Sequence, residues 1–317
     1  MQLSLDNIVR ARERIRPHVR QTPLERSAAL SKQTGRELFL KLENWQITGS
    51  FKARGAVNRL LTLSAEDRVK GIITASAGNH ALGVAFAAQI CGVTGKIVLP
   101  LHASKAKKAA LNFFGLTFLE EGNDYDEAEE IAWEIAKRED LTFVHAFEDP
   151  EVMAGQGTIA LEISEQLPDA GVLVVPIGGG GLIAGMAVAA KTLNPRIKVV
   201  GVQSEASPAM AAAWQAGKVV ETPVHASVAD GLTGRVVGAL TFQHARKYVD
   251  DVVLVSEESI RAAIKLIFEA QHFIVEGSAA VGLAALLAGK IEPTGATVLV
   301  LTGRNIALDT LGKILST

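Results

Sequence analysis

The sequence predicts an α/β fold built on parallel twisted sheets flanked by helices. Three observations carry that reading: short β-branched runs alternate with longer amphipathic stretches, several of the runs are apolar at every position, and small-residue turns follow the strands. Fully apolar strands are expected where both sheet faces are covered. Strand–helix alternation of this kind places ligand sites at the carboxyl ends of the strands.

In chain order the predicted strands are 37–43, 71–76, 96–100, 115–120, 141–146, 171–176, 197–203, 251–256 and 297–303. Between most of them lies an apolar pattern of helical period, clearest over 125–139 and 257–271. The acidic run 120–130 reads as a solvated helix start, because acids in a first turn complement the helix dipole. Residues Ala170 to Ala190 carry no charge over 21 positions. Pro176 and four consecutive glycines interrupt them, so a buried strand, a tight turn and a buried helix explain the stretch better than a membrane span.

Length and composition narrow the function. A chain of 317 residues suggests two domains, or one with a large insertion, at ~100–200 residues each. The 48% hydrophobic content excludes wholesale disorder, and a formal net charge of -2 gives no basic excess for nucleic acid or an anionic membrane. One cysteine, Cys91, forbids an internal disulfide and a multi-thiolate metal site, and fits a reducing, cytoplasmic compartment. The N-terminus has no apolar core of the secretory type.

Five segments could carry chemistry. In TGSFKARGA (48–56), Lys52 follows Phe51 where a loop hands over to a helix. Either it is a surface lysine, or the helix start disfavours its charge and yields the neutral amine that Schiff-base chemistry requires. In SAGNHALGVA (76–85), Ser76, Gly78, Asn79 and His80 form a polar turn after a strand. Asn79 is a plausible N-cap there, and the turn either caps a helix or binds an anion. In PIGGGGLIAG (176–185), Gly178, Gly179, Gly180 and Gly181 free the backbone to wrap an anion at a helix start. Gly179, Gly181 and Ala184 also satisfy a dinucleotide pattern, with Glu205 at a plausible ribose-binding distance, so an NAD-dependent dehydrogenase is a local rival. LTGRN (301–305) offers the neutral hydroxyl of Thr302 at a strand end. ADG (229–231) and VEGSAAVGLAALL (275–287) supply small residues for close packing, with Glu276 an odd charge among them.

Together and in this order these segments resemble the fold-type II pyridoxal phosphate enzymes, a two-domain, tryptophan synthase β-like architecture, and specifically the threonine dehydratase and serine racemase group. The likeness runs from RPHVRQTPLERS (16–27) through AGQGTIALEI (154–163) and GVQSE (201–205) to LTGRN. The dehydrogenase rival explains neither TGSFKARGA nor SAGNH. The resemblance implies that pyridoxal 5'-phosphate is the cofactor. It implies that Lys52 forms the internal aldimine and then acts as the base at Cα, with Phe51 beside the ring. Asn79 would bond the phenolic oxygen, Gly178 to Gly181 would hold the phosphate, and Thr302 would face the ring nitrogen. Ser76, Gly78, Asn79 and His80 would bracket the substrate carboxylate.

The implied reaction is β-elimination of water from a β-hydroxy amino acid such as threonine or serine, giving a 2-oxo acid and ammonia. Departures from the group's pattern sharpen this. A second serine works as acid/base in the racemases, where this chain has Ala77, and Phe147 stands where a racemase tends to have Asn; both favour a dehydratase over a serine racemase. Gln203 replaces the glutamate that begins the group's divalent-cation site, with Glu205 two residues on, so no metal is expected. Arg304 or Arg235 could bind an extra carboxylate or polar group, as in 3-hydroxyaspartate or a hydroxyectoine-derived compound. The resemblance places a large domain at 1–66 and 150–317 and a small inserted domain at 70–148, in a homodimer or homotetramer. With the chain stopping at Thr317, no C-terminal regulatory domain and no isoleucine feedback through one are expected.

Overall fold

A computed structural model describes residues 3–76, 78–101, 116–292 and 294–316. The first third of the chain runs α1 (Leu5–Ile15), β1 (Leu24–Arg26), α2 (Ala28–Thr34), β2 (Leu38–Lys41), α3 (Lys52–Leu61), α4 (Ala65–Lys70), β3 (Ile72–Ala75), α5 (Asn79–Cys91) and β4 (Gly95–Leu99). The middle holds β5 (Thr117–Glu120), α6 (Tyr125–Glu139), β6 (Thr142–Phe143), α7 (Pro150–Gln166), β7 (Val172–Pro176), α8 (Gly181–Leu193) and β8 (Lys198–Ser204). The remainder is α9 (Ala209–Ala216), α10 (Ala239–Tyr248), β9 (Asp251–Val255), α11 (Glu257–Gln271), α12 (Gly277–Leu287), β10 (Thr297–Val300) and α13 (Leu308–Ser316).

Each of the nine expected strands is present, most of them trimmed at the ends. A tenth, β1, was not expected: three residues with one apolar position carry no periodicity to read. It pairs antiparallel with β2, so the larger sheet, ordered β1-β2-β10-β7-β8-β9, is mixed at one edge rather than wholly parallel. The smaller sheet, β5-β4-β3-β6, is parallel throughout.

Local chemistry explains the helix starts. Asp149 caps α7 by accepting from the N–H groups of Glu151 and Val152, with Pro150 at the first position where no N–H is needed. Ser256 caps α11, whose first turn carries Glu257 and Glu258. The uncharged stretch is a strand, a turn and a helix, β7 and α8, as its proline and glycines require. Among the described residues no helix is long and apolar enough to cross a membrane.

Two switch points position the site. In the larger sheet the chain runs outward from β7 through β8 to β9, while β10 lies on the other side of β7. In the smaller sheet β3 leads outward to β4 and β5, while β6 lies on its other side. Parallel sheets bind ligands at the carboxyl ends of strands where such reversals open a crevice. The four strand ends concerned lead into Gly178, Leu301, Ser76 and Val144.

Close packing of α3 against α7 fixes the element that carries Lys52. A Cβ on Gly155 would lie 2.6 Å from both the Arg54 carbonyl oxygen and Gly55 Cα, so glycine alone permits this approach. Arg54, fully buried, then donates to Glu43 twice at 2.8 Å and to Glu162 at 2.6 and 3.0 Å. Lys41 joins the same cluster, 2.6 Å from Glu162.

Candidate active site

The crevice between the sheets is a cavity of about 350 Å³, within the range of small-molecule sites. The residues to which the resemblance gives a cofactor or carboxylate role all line it. Phe51 and Lys52 line it from the start of α3, and Ser76, Gly78, Asn79 and His80 from the start of α5. The glycines 178–181 and Thr302 close it from the larger sheet.

Lys52 is the first residue of α3, and its Nζ donates to the Ala146 carbonyl at 2.7 Å. Burial lowers its pKa to about 8, against an opposing pull from the Glu276 carboxylate. The lowered value agrees with expectation, but the cause does not: removal from water, rather than the helix start, is the main effect. Two loops are knitted beneath it. Phe51 N–H donates to the Thr302 carbonyl at 3.1 Å and Arg304 N–H to the Gly49 carbonyl at 2.9 Å. Ser50 and Gly303 form an isolated antiparallel bridge.

At the start of α5 the cap is Gly78 rather than Asn79. Asn79 lies inside the first turn with both ends of its amide engaged: Nδ2 donates to Glu276 Oε1 at 2.7 Å, and Oδ1 accepts from Asn305 Nδ2 at 2.6 Å. No side chain caps this helix, which leaves the N–H groups of its first turn without a side-chain acceptor. The His80 ring turns away, its Nε2 lying 3.1 Å from the Val144 carbonyl. Burial and the charge of Lys52 lower its pKa to about 3, so the ring is neutral. Ala77, where the racemases carry their second serine, lies outside the described residues.

The glycine turn after β7 leaves no room for side chains. A Cβ on Gly179 would stand 2.4 Å from the Phe147 ring, and Gly180 adopts φ +99° to turn the chain into α8. Thr302, 2% exposed, presents Oγ1 without a hydrogen-bond partner, and so does Ser278 at 3% exposure. Buried orphan hydroxyls facing a cavity are rare unless a ligand supplies the partner.

The remaining candidates fall elsewhere. Arg304 is solvent-exposed, and Arg235 forms ion pairs with Asp124 and Asp126 at the start of α6, so neither guanidinium faces the cavity. Gln203 Oε1 accepts from the N–H groups of Met210 and Ala211 at 2.9 and 3.0 Å, capping α9 where the group's cation site would begin. Among the described residues no cluster of metal-ligating side chains occurs. Glu205 sits outside the cavity, 3.5 Å from Lys290, which leaves the dinucleotide pattern without its ribose ligand.

Sequence reading did not reach Ser278, Asn305 and Tyr125, all of which line the cavity. Ser278 stands two residues beyond the odd charge Glu276 and could have been found from it. Asn305 ends the LTGRN motif. Tyr125 was hidden in an acidic run read as solvent-facing, and nothing local distinguishes it.

A lysine of lowered pKa, a glycine turn at a helix start and an unpartnered hydroxyl across the cavity are the donor set that an aldehyde, a phosphate and a pyridine nitrogen need. The chain is thus a fold-type II pyridoxal phosphate enzyme, and comparison with known proteins narrows the class. It belongs to the family described as pyridoxal-phosphate dependent enzymes, which matches residues 15–303. It is 45% identical over 315 residues to the L-threonine ammonia-lyase of Thermotoga maritima, covering 99% of this chain and 78% of that protein. With the catabolic L-threonine dehydratase of Escherichia coli K12 it shares 40% identity, covering 98% and 96%. Among solved structures, maize serine racemase superposes with a TM-score of 0.94 at 33% identity, covering 100% of this chain and 98% of that one. The T.th. threonine deaminase superposes at 0.91 and 36% identity, covering 96% and 99%.

Proposed function

We propose that this enzyme is an ammonia-lyase that removes water from a β-hydroxy amino acid of the threonine or serine kind, yielding a 2-oxo acid and ammonia. The observation that carries the reading is the Lys52 amine, 2.7 Å from the Ala146 carbonyl and facing the crevice between the glycine turn and the unpartnered Thr302 hydroxyl. The threonine ammonia-lyase and dehydratase relatives support the same reaction.

Bound pyridoxal 5'-phosphate supplies an electron sink for the pair left at Cα when its proton departs. Every other role falls to the chain. Lys52 Nζ would hold the cofactor at its aldehyde carbon, and its amine is placed to accept the Cα proton; a pKa near 8 leaves a useful fraction of free amine at neutral pH. Gly178 to Gly181 and the start of α8 bind the phosphate through backbone N–H groups. The second N–H of Asn79 Nδ2, beside the one given to Glu276, would reach the phenolic oxygen, and Phe51 would flank the ring. Ser76, Gly78, Asn79 and His80 would bracket the substrate carboxylate, Asn79 and His80 through N–H groups at the start of α5, while the Gly78 N–H is given to Ser76 Oγ at 3.1 Å. Thr302 Oγ1, which has no partner in the protein, would meet the ring nitrogen as a neutral group. A hydroxyl would not force a proton onto that nitrogen as a carboxylate would, and this would favour elimination.

A dehydratase is favoured over a racemase because Ala77, in place of the second serine, has no proton to give to the opposite face. Asp230 and Glu276 line the cavity as acids, which disfavours a side-chain carboxylate such as that of 3-hydroxyaspartate. Residues 1–66 and 150–317 are read as the large domain and 70–148 as the small one, closing on the substrate and shedding water. A homo-oligomer is supported by the exposed apolar side chains Trp45, Ile47 and Ile274 around the Trp45–Phe273 ring pair. The lone, half-buried Cys91 supports a reducing, cytoplasmic setting.

The test is direct. The purified protein should be yellow, lose its visible band on borohydride treatment, and release ammonia from threonine and serine, whereas Lys52→Ala should be inactive. A colourless, inactive protein after incubation with the cofactor would end the reading.

A further inference from the structure

The turn that receives Lys52 is held by side chains to which the reaction above gives no role. Beyond the end of β6, His145 Nδ1 accepts two backbone hydrogen bonds, from Phe147 N–H at 3.2 Å and from Glu148 N–H at 3.0 Å. A ring nitrogen that accepts N–H bonds carries no proton, so the neutral ring bears its hydrogen on Nε2. That nitrogen faces Glu129 Oε1 at 3.4 Å, and the same oxygen accepts from Tyr125 Oη at 2.8 Å. Tyr125 lines the cavity from the start of α6. Between these partners the turn does two things: it offers the Ala146 carbonyl to Lys52 at 2.7 Å, and it lays the Phe147 ring over Gly179. His145 packs edge-on against Phe147, with ring centroids 4.5 Å apart.

From this geometry we infer that His145 is a positioning residue for Lys52. As a neutral ring it fixes residues 145–148 through its two accepted bonds, and so sets where the Ala146 carbonyl holds the lysine amine. Glu129 and Tyr125 keep the ring in that orientation, which ties the amine to α6, whose first residue lines the cavity. Burial and the nearby Lys52 charge lower the pKa of His145 to about 4, so the acceptor at Nδ1 persists through the neutral range. The inference rests on the reading of Lys52 as the amine that holds the cofactor and carries the Cα proton.

Two substitutions separate the ring's nitrogens. Asn places its Oδ1 where Nδ1 stands, so His145→Asn retains an acceptor for the turn. Gln places its amide near Nε2, so His145→Gln retains only the contact to Glu129. The measurements are kcat with threonine and, in the full-length protein freed of cofactor, the rate at which an amine-specific reagent labels Lys52. His145→Gln should lower kcat ~10–100-fold, the effect of a displacement of about 1 Å at a reacting group, and label Lys52 several-fold faster. His145→Asn should bring both values back to within about threefold of the parent protein. Equal effects of the two variants, or a loss of kcat with unchanged labelling, would overturn the inference. Should His145→Gln fail to fold, Tyr125→Phe carries the test. Loss of the hydroxyl that holds Glu129 should lower kcat and speed labelling to a smaller degree, and a profile like the parent's overturns the inference. Failure of the underlying reading looks different: Lys52→Ala would keep its turnover whatever the His145 variants do.

Discussion

Asn79 Nδ2 lies 2.7 Å from Glu276 Oε1, joining the first turn of α5 to the cap of α12 across the crevice. This contact gives the buried carboxylate two effects. It orients the Asn79 amide, whose oxygen is fixed by Asn305, and its charge favours the protonated form of Lys52. Glu276→Gln keeps the shape and the acceptor but removes the charge. The pKa of Lys52 should then fall below about 8, so amine labelling of the cofactor-free protein should reach its plateau at lower pH. Glu276→Ala should also release the amide, with a loss of kcat/KM of about 10-fold or more, since hydrogen bonds to charged groups contribute ~1.5–3 kcal/mol. A pKa unmoved in both variants would detach Glu276 from the lysine.

Gly179 faces a ring rather than space. A Cβ there would stand 2.4 Å from Phe147, and the Gly179 carbonyl accepts from Thr241 Oγ1 at 2.7 Å, so the turn has little freedom to shift. Overpacking of this kind costs ~1–3 kcal/mol. Gly179→Ala should therefore weaken cofactor binding by roughly 5- to 100-fold, measured by fluorescence titration, while the fold survives. Affinity like the parent's would place the phosphate elsewhere.

The strands and the small-residue turns at their ends were legible in the sequence because their signals are local, whereas the division into two sheets came only from the resemblance. Fully apolar strands, a glycine run and capped helix starts each state their structure within a few residues. What was not legible depends on partners far along the chain. Asn79 looks like an N-cap, yet its amide serves Glu276 and Asn305, 197 and 226 positions away. The run 120–130 begins a helix as expected, with Asp124 as its cap, yet it also brings Tyr125 to the cavity and two acids to Arg235. Arg235 looked free to meet a substrate because nothing nearby in sequence neutralises it. Burial, which lowers the pKa of Lys52, is likewise a property of the assembled crevice.

Arg235 joins the two sheets at the crevice. It pairs with Asp124 and, at 3.5 Å, with Asp126, flanking Tyr125, and the guanidinium is nearly half exposed. Exposed ion pairs contribute only ~0–1 kcal/mol and weaken with salt. Arg235→Ala should raise KM by at most about fivefold, alike for threonine, serine and 3-hydroxyaspartate, with kcat little changed and the difference shrinking in high salt. A loss confined to 3-hydroxyaspartate would instead return this arginine to substrate binding.

Acid should destabilise the fold below the usual histidine range. His80 and His145 have pKa values lowered to about 3 and about 4, chiefly by burial, against 6.5 for an ordinary histidine. Between pH 6.5 and 4 the unfolded chain binds protons on both that the folded chain refuses. Stability therefore falls as pH falls through this window, and is regained as pH rises past 6.5. Thermal melts from pH 7 to pH 4 should show a falling midpoint, with the slope reduced in His145→Asn. A midpoint independent of pH would mean that both rings protonate freely in the folded state.

The buried cluster behind Lys52 should be the most sensitive place in the fold. Arg54 is two residues from the lysine, donates to Glu43 and Glu162 through four hydrogen bonds, and is 1% exposed. The two carboxylates hold the guanidinium above its ordinary pKa, and the guanidinium holds Glu43 below the usual carboxylate range. Lys41 is held to Glu162 at 2.6 Å, although burial pulls its own pKa down. Arg54→Met has comparable volume but leaves two acids with one remaining cation. Removing one partner from such a group costs ~3–5 kcal/mol, because an uncompensated charge stays buried. Arg54→Met with Glu43→Gln leaves Lys41 and Glu162 as a balanced pair and should recover much of that loss, since well-packed neutral replacements are often tolerated. Denaturant melts of the single and double variants decide the matter. If the double variant is no more stable than Arg54→Met, the cluster acts through hydrogen-bond geometry rather than charge balance, and the kcat of both variants should then track the displacement of α3.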